Sequence, residues 1–138
     1  MSHFEIFGVY LVINLILLLV LLFGVIRIRF TKGVSLGDGG RADLVRAGRA
    51  HGNFVENAPF ALLGMISMMQ LGTSSLMLHV VGATFTLGRI LHAIGMYQDN
   101  PAPKPRQIGT LLTLLTYLVL IIYLALLLFR SFGSYGVS

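Results

Sequence analysis

The sequence predicts an all-α integral membrane protein: a four-helix bundle forming a single domain over residues 1–138. Three observations carry that expectation. Of the 138 residues, 56% are hydrophobic and only 11% are charged, where a soluble domain carries about 25% charged residues. The apolar residues gather into four stretches divided by short polar, Gly-rich or Pro-rich segments. Once those stretches are set aside, no soluble module remains. The transmembrane helices are expected at about 5–27, 43–71, 76–97 and 107–130.

The first helix rests on Ile6 to Ile26, a charge-free run long enough to cross a hydrocarbon core of about 30 Å. It lacks a basic leading region and a small-residue cleavage site, so it reads as a retained helix and not a signal peptide. Asn14 is its strongly polar interruption and reads as an interhelical hydrogen bond. Thr31 to Arg41, rich in glycine and charge, reads as an exposed loop. The second helix is expected to start near Asp43, with that residue as its cap, and to be polar before Ala58 and apolar after it. Pro59 removes a backbone donor within it and is expected to kink it. Gly72-Thr73-Ser74-Ser75 makes a short uncharged turn before the third helix, Leu76 to Tyr97. Asp99 to Pro105 holds Pro101, Pro103 and Pro105 and is expected to be a non-helical connection. Ile108 to Phe129 then forms a charge-free fourth helix.

Charge sets the orientation and removes several classes of function. The net charge is +5, and six of the ten basic residues (Arg27, Arg29, Lys32, Arg41, Arg46 and Arg49) lie between the first and second apolar segments. No basic surface interleaved with aromatics sits on a soluble fold, so no nucleic-acid partner is expected. As a group, these charges read as a topological signal in contact with anionic membrane lipids. The second loop is uncharged, so the positive-inside rule places loops one and three in the cytoplasm, with both termini outside. The chain has no cysteine, which excludes disulfides, thiolate metal sites and a cysteine nucleophile. No metal site is expected. Any thiol chemistry must come from the substrate.

The most informative residues open the second helix. Arg49, Asn53 and Glu56 stand at i, i+4 and i+7, on one helical face. Ionisable groups at membrane depth are costly and face the bundle interior or a water-filled cavity. A cation, an amide and an anion in a row suit a small zwitterionic ligand. The rise from Arg49 to Glu56 is roughly 10 Å, long for a direct pair, which favours a group between them or a partner on another helix. Arg89, His92 and Met96 form a second polar stripe late in the third helix, and Arg106 enters the fourth. Arginine offers a planar fork of five donors that grips carboxylates or stabilises an anion, and cationic neighbours raise a thiol's thiolate fraction. The remaining first-loop cations read as snorkelling or loop charges, His51 points away from the Arg49 face, and Gly48 and Gly52 read as a small-residue pair for close helix packing.

Taken together, the chain resembles the MAPEG family, the membrane-associated proteins in eicosanoid and glutathione metabolism. The resemblance covers four spans, a basic first loop, Arg49-x3-Asn53-x2-Glu56-x2-Pro59, Arg89-x2-His92-x2-Gly95 and Arg106. It implies a homotrimer that binds glutathione between subunits near the cytoplasmic face. In that reading Arg49, Asn53, Glu56, Arg89 and His92 hold glutathione, and Arg106 is the catalytic residue that stabilises its thiolate. Met96 stands where eicosanoid-forming members usually carry a tyrosine, and Gln107 where prostaglandin-forming members carry a serine. The resemblance therefore implies a membrane-bound glutathione-dependent transferase or peroxidase acting on lipophilic electrophiles or lipid hydroperoxides. The alternative is a non-catalytic binding or scaffold protein of the same fold.

Overall fold

The computed structural model describes residues 1–100 and 102–135. Pro101, one of the three loop prolines, lies outside the described residues. Four helices follow in order: α1 (His3–Lys32), α2 (Ala42–Gln70), α3 (Ser75–Met96) and α4 (Lys104–Tyr135). Each packs against the next, and the short connections make neighbours antiparallel; helices are the form an apolar chain takes when every backbone group has to be bonded within its own segment. α1, α3 and the Lys104–Phe132 part of α4 are each long and apolar enough to cross a membrane. α2 matches them in length, with 29 residues, and its polar first half sets it apart.

Local signals fix the helix ends. Ser2 caps α1 in a reciprocal box: its hydroxyl accepts from the Glu5 N–H at 3.2 Å, and Glu5 accepts from the Ser2 N–H at 2.6 Å. α1 stops at Gly33, whose φ of +66° is the left-handed conformation glycine adopts freely. The helix therefore runs beyond the apolar stretch and includes Arg27, Arg29, Thr31 and Lys32, so the first loop begins at Gly33 and not at Thr31. Basic residues in a last turn suit the negative end of the helix dipole.

Asp43 does not cap α2. Arg41 holds the capping position without a side-chain bond. Asp43 instead accepts two hydrogen bonds from Arg41, at 3.0 and 3.1 Å. α2 remains one helix across Pro59. α4 begins four residues before its apolar run, at Lys104. Pro105 lies in its first turn, where a missing N–H costs nothing because that donor has no intrahelical partner. Gln107 closes the loop by donating to the Ala102 carbonyl at 2.9 Å.

The core runs along the bundle axis through Phe54, Ala58, Ala61, Met65 and Met68 of α2, with Leu78, Val81 and Phe85 of α3. Ile6 and Leu21 enter from α1, and Leu120 from α4. Asn14, only 2% exposed, donates to Thr86 across the α1–α3 contact at 2.8 Å, the interhelical bond expected of it. The outer faces of α1 and α4 carry exposed Val12, Ile16, Val20, Leu114, Leu118 and Ile121, which is the surface lipid requires. Gly48 and Gly52 do not mediate packing within the chain. A Cβ at Gly48 would meet open space, and one at Gly52 would meet only the Glu56 carboxylate at 3.9 Å.

Candidate functional site

One end of the bundle gathers most of the charge. Arg46 pairs with Asp99 at 2.7 Å, tying the start of α2 to the loop between α3 and α4. Next to this tie lies a cleft of about 390 Å³, lined by Arg49, Asn53, His92, Met96, Arg106 and Thr110. Four of the six residues expected to form the site line this cleft together: Arg49, Asn53, His92 and Arg106.

Glycines bring α3 and α4 close enough to build it. A Cβ on Gly95 would collide with the backbone and Cβ of Arg106, and one on Gly109 with the His92 backbone and the Gly88 carbonyl. Gly88 and Gly95 lie seven residues apart on one face of α3, and small residues there let the helix backbones nearly touch. This contact sets Arg106 beside His92 at the mouth of the cleft. Gly88 and Gly109 were not singled out from sequence. Gly88 recurs seven residues before Gly95 on α3, a spacing visible in the sequence; that Gly109 of α4 meets this face is not.

Glu56 does not line the cleft. It sits on the exposed face of α2 with its Oε1 3.9 Å from the Arg49 Nη1. Sequence spacing argued against a direct pair, but two long side chains leaning toward each other close the two-turn gap. Both remain well exposed, at 62% and 60%, so the pair itself stabilises little. The pair sets a carboxylate beside Arg49, one of the residues that line the cleft.

Arg89 also lies outside the cleft lining, and it is 3% exposed. Its Nη1 donates to Asn53 Oδ1 at 2.7 Å and its Nη2 to Thr113 Oγ1 at 2.6 Å. The Phe85 ring lies 5.9 Å from the guanidinium carbon, within cation–π range. The Nε has no partner, and among the described residues no carboxylate pairs with this arginine. A buried arginine in a membrane helix is costly, and this one is held by neutral partners alone. The polar seam continues along the same helices: Asn57 donates to the Asn53 carbonyl at 2.8 Å, and Tyr117 to the Asn57 carbonyl at 2.8 Å.

Met96 faces the cleft, whereas its neighbour Tyr97 turns to α1, where its hydroxyl packs against Gly24. The cleft therefore has no phenol from this position. No cluster of three metal-ligating side chains occurs among the described residues.

Four packed helices, three of them long and apolar enough to cross a membrane, define an integral, multi-pass membrane protein with a cationic cleft at one end. The MAPEG family model matches residues 7–126, and the chain belongs to the MAPEG family. It is similar to the inner membrane protein YecN of Escherichia coli strain K12, with 37% identity over 90 residues that cover 65% of this chain and 69% of that protein. The same protein from an O6:H1 strain of Escherichia coli matches to the same extent. No solved structure matches significantly.

Proposed function

We propose that this protein binds glutathione in the cleft and uses its thiolate against lipophilic electrophiles or lipid hydroperoxides. The single observation that carries the reading is the donor set. Arg49, Asn53 and Arg106 line one cleft with no acidic residue in its wall, and Glu56 stands at the rim on Arg49. Glutathione matches that arrangement with two carboxylates, an ammonium group and a thiol. The volume falls within the range of about 300–1,000 Å³ typical of small-molecule sites.

The division of labour follows from position. Arg49 and Asn53 grip a carboxylate, with the arginine bidentate where geometry allows. Glu56 pairs with the ammonium. Arg106, at the mouth beside His92, holds the sulfur and favours its ionised form, since a neighbouring cation lowers a thiol's pKa. Glutathione supplies the sulfur nucleophile. In conjugation that sulfur forms the bond to carbon as the electrophile's leaving group departs. In peroxide reduction a second glutathione completes the two-electron balance, giving disulfide, alcohol and water. The lipophilic partner reaches the cleft laterally through the apolar outer surface. The basic first loop and the Lys104–Arg106 segment place the cleft on the cytoplasmic side of a bacterial inner membrane. A homotrimer, with glutathione between neighbouring subunits, completes the reading.

Met96 favours a second reading. Where a hydroxyl could donate to the ligand the cleft has a thioether, which suits a binder that retains glutathione without turnover. Calorimetry on the detergent-solubilised protein, followed by a conjugation assay with a general electrophile, tests both. Binding with turnover supports the enzyme, binding without turnover supports the binder, and no binding overturns the glutathione reading altogether.

A further inference from the structure

The geometry points to Arg89 as a positioning residue that fixes the polarity of the Asn53 amide, so that the cleft presents N–H donors and selects a ligand carboxylate over a neutral carboxamide. This rests on the glutathione reading above and assigns Arg89 a role in it without contact.

Arginine has five donors and no acceptor. The group facing Arg89 Nη1 at 2.7 Å must therefore be the Asn53 carbonyl oxygen, and the amide nitrogen must point elsewhere. An asparagine amide usually can flip by 180°, exchanging a donor for an acceptor at little cost. Here a flip would turn an NH₂ group toward a buried cation that can only donate. Thr113 prevents the guanidinium from turning away. Its hydroxyl accepts from Arg89 Nη2 at 2.6 Å and donates to the Gly109 carbonyl at 2.8 Å. Gly109 is locked in turn, because its Cα abuts the His92 backbone. The chain of constraint runs from the α3–α4 crossing through Thr113 and Arg89 to Asn53, and from there into the cleft that Asn53 lines.

The consequence is a specificity rule. With Arg49 and a fixed Asn53 NH₂, the part of the wall that grips a carboxylate offers the ligand only donors. A carboxylate satisfies them, while a carboxamide turns part of its own surface into donors that meet donors. A site built around such hydrogen bonds rejects an analogue that cannot complete them far more strongly than an apolar pocket rejects a change of shape.

The test compares glutathione with its two mono-amides, each carrying one carboxylate converted to a carboxamide, by calorimetry on the full-length protein in detergent. Wild type is expected to prefer glutathione over one of the mono-amides by roughly 10- to 100-fold, the worth of a charge-assisted hydrogen bond. Arg89→Met removes the donor, frees the Asn53 amide to flip and should shrink that preference to within about threefold. Arg89→Lys, which keeps one donor on Asn53, should restore most of it. A purely structural role would weaken all three ligands together and leave the ratio unchanged. Thr113→Val, a milder change that frees the guanidinium, should lower the ratio even if Arg89→Met fails to fold. Asn53→Asp keeps the partner for Arg89 but turns an acceptor toward the ligand, and should reverse the preference toward the mono-amide. Glutathione binding with a ratio that these variants do not alter overturns this inference alone. Failure of wild type to bind glutathione overturns the proposed function and this inference with it.

Discussion

The two ends of the bundle handle polar groups in opposite ways. Away from the cleft, near the turn between α2 and α3, polar side chains close on one another. Tyr10 and His79 share a hydrogen bond at 2.9 Å with their rings edge to face, and Thr73 donates to Tyr123 at 3.3 Å. These partners are matched one to one. At the cleft, Arg106 is not ion-paired among the described residues, Arg89 is buried among neutral groups, and Glu56 rests loosely on Arg49. The side chains near the α2–α3 turn spend hydrogen-bonding capacity on one another, whereas Arg106 and the loose Arg49–Glu56 contact leave capacity open. Both ends also use glycine for close contact, again differently. Gly82 lies under the Tyr10 ring, a side chain that can shift, while Gly109 abuts the backbone of α3.

The sharpest way to break the comparison is to fill both contacts. Gly109→Ala forces two helix backbones apart and should cost about 3 kcal/mol, the upper part of the overpacking range. It should also abolish binding, because Arg106 and His92 move with the helices. Gly82→Ala displaces only a ring and should cost less and leave binding in place. Thermal unfolding in detergent, paired with glutathione calorimetry, reads both effects. Equal losses of stability and binding for the two variants would mean that the ends are not functionally distinct.

Glu56→Gln comes next. It preserves shape while removing the carboxylate that faces an ammonium, and glutathione binding should weaken by about 1.5–3 kcal/mol with unfolding unchanged. An unchanged affinity would return Glu56 to a surface role. The smallest effect is expected at Asn14, which lies in the membrane interior away from the cleft. Asn14→Leu removes the hydrogen bond to Thr86 and also a buried Oδ1 that has no partner. Interhelical hydrogen bonds in membranes average about 0.6 kcal/mol, so stability should shift by that amount or less, with no change in glutathione affinity. A lost affinity would show that polar groups outside the cleft end also serve the ligand.

The helix count and the cluster of polar residues at one end were legible in the sequence because both depend on local pattern: apolar runs long enough to span, and charge at helical spacing. The boundaries were less so. Arg27, Arg29 and Lys32 interrupt hydropathy but not helicity, so α1 continues to Gly33. Pro105 reads as a breaker until it falls in a first turn. Periodicity reports which face a residue occupies and not what it meets there. Arg89 shares a helical stripe with His92, yet a buried partner set turns it away from the cleft and onto Asn53. Glu56 shares a stripe with Asn53, yet a long arginine draws it to the rim. Gly88, Gly95 and Gly109 matter through a contact between two helices, which no single-helix pattern contains.

The central claim is that Arg106 stabilises a thiolate in this cleft. The direct observable is the ultraviolet absorbance of the glutathione thiolate in the protein complex, titrated against pH for wild type and Arg106→Ala. The wild-type thiol pKa should lie below the unperturbed value of about 8.5 and move back up in the variant, with each unit equal to about 1.4 kcal/mol of thiolate stabilisation. Conjugation should slow in parallel while binding weakens much less. Bound glutathione with an unshifted thiol pKa in the wild-type protein would contradict the account.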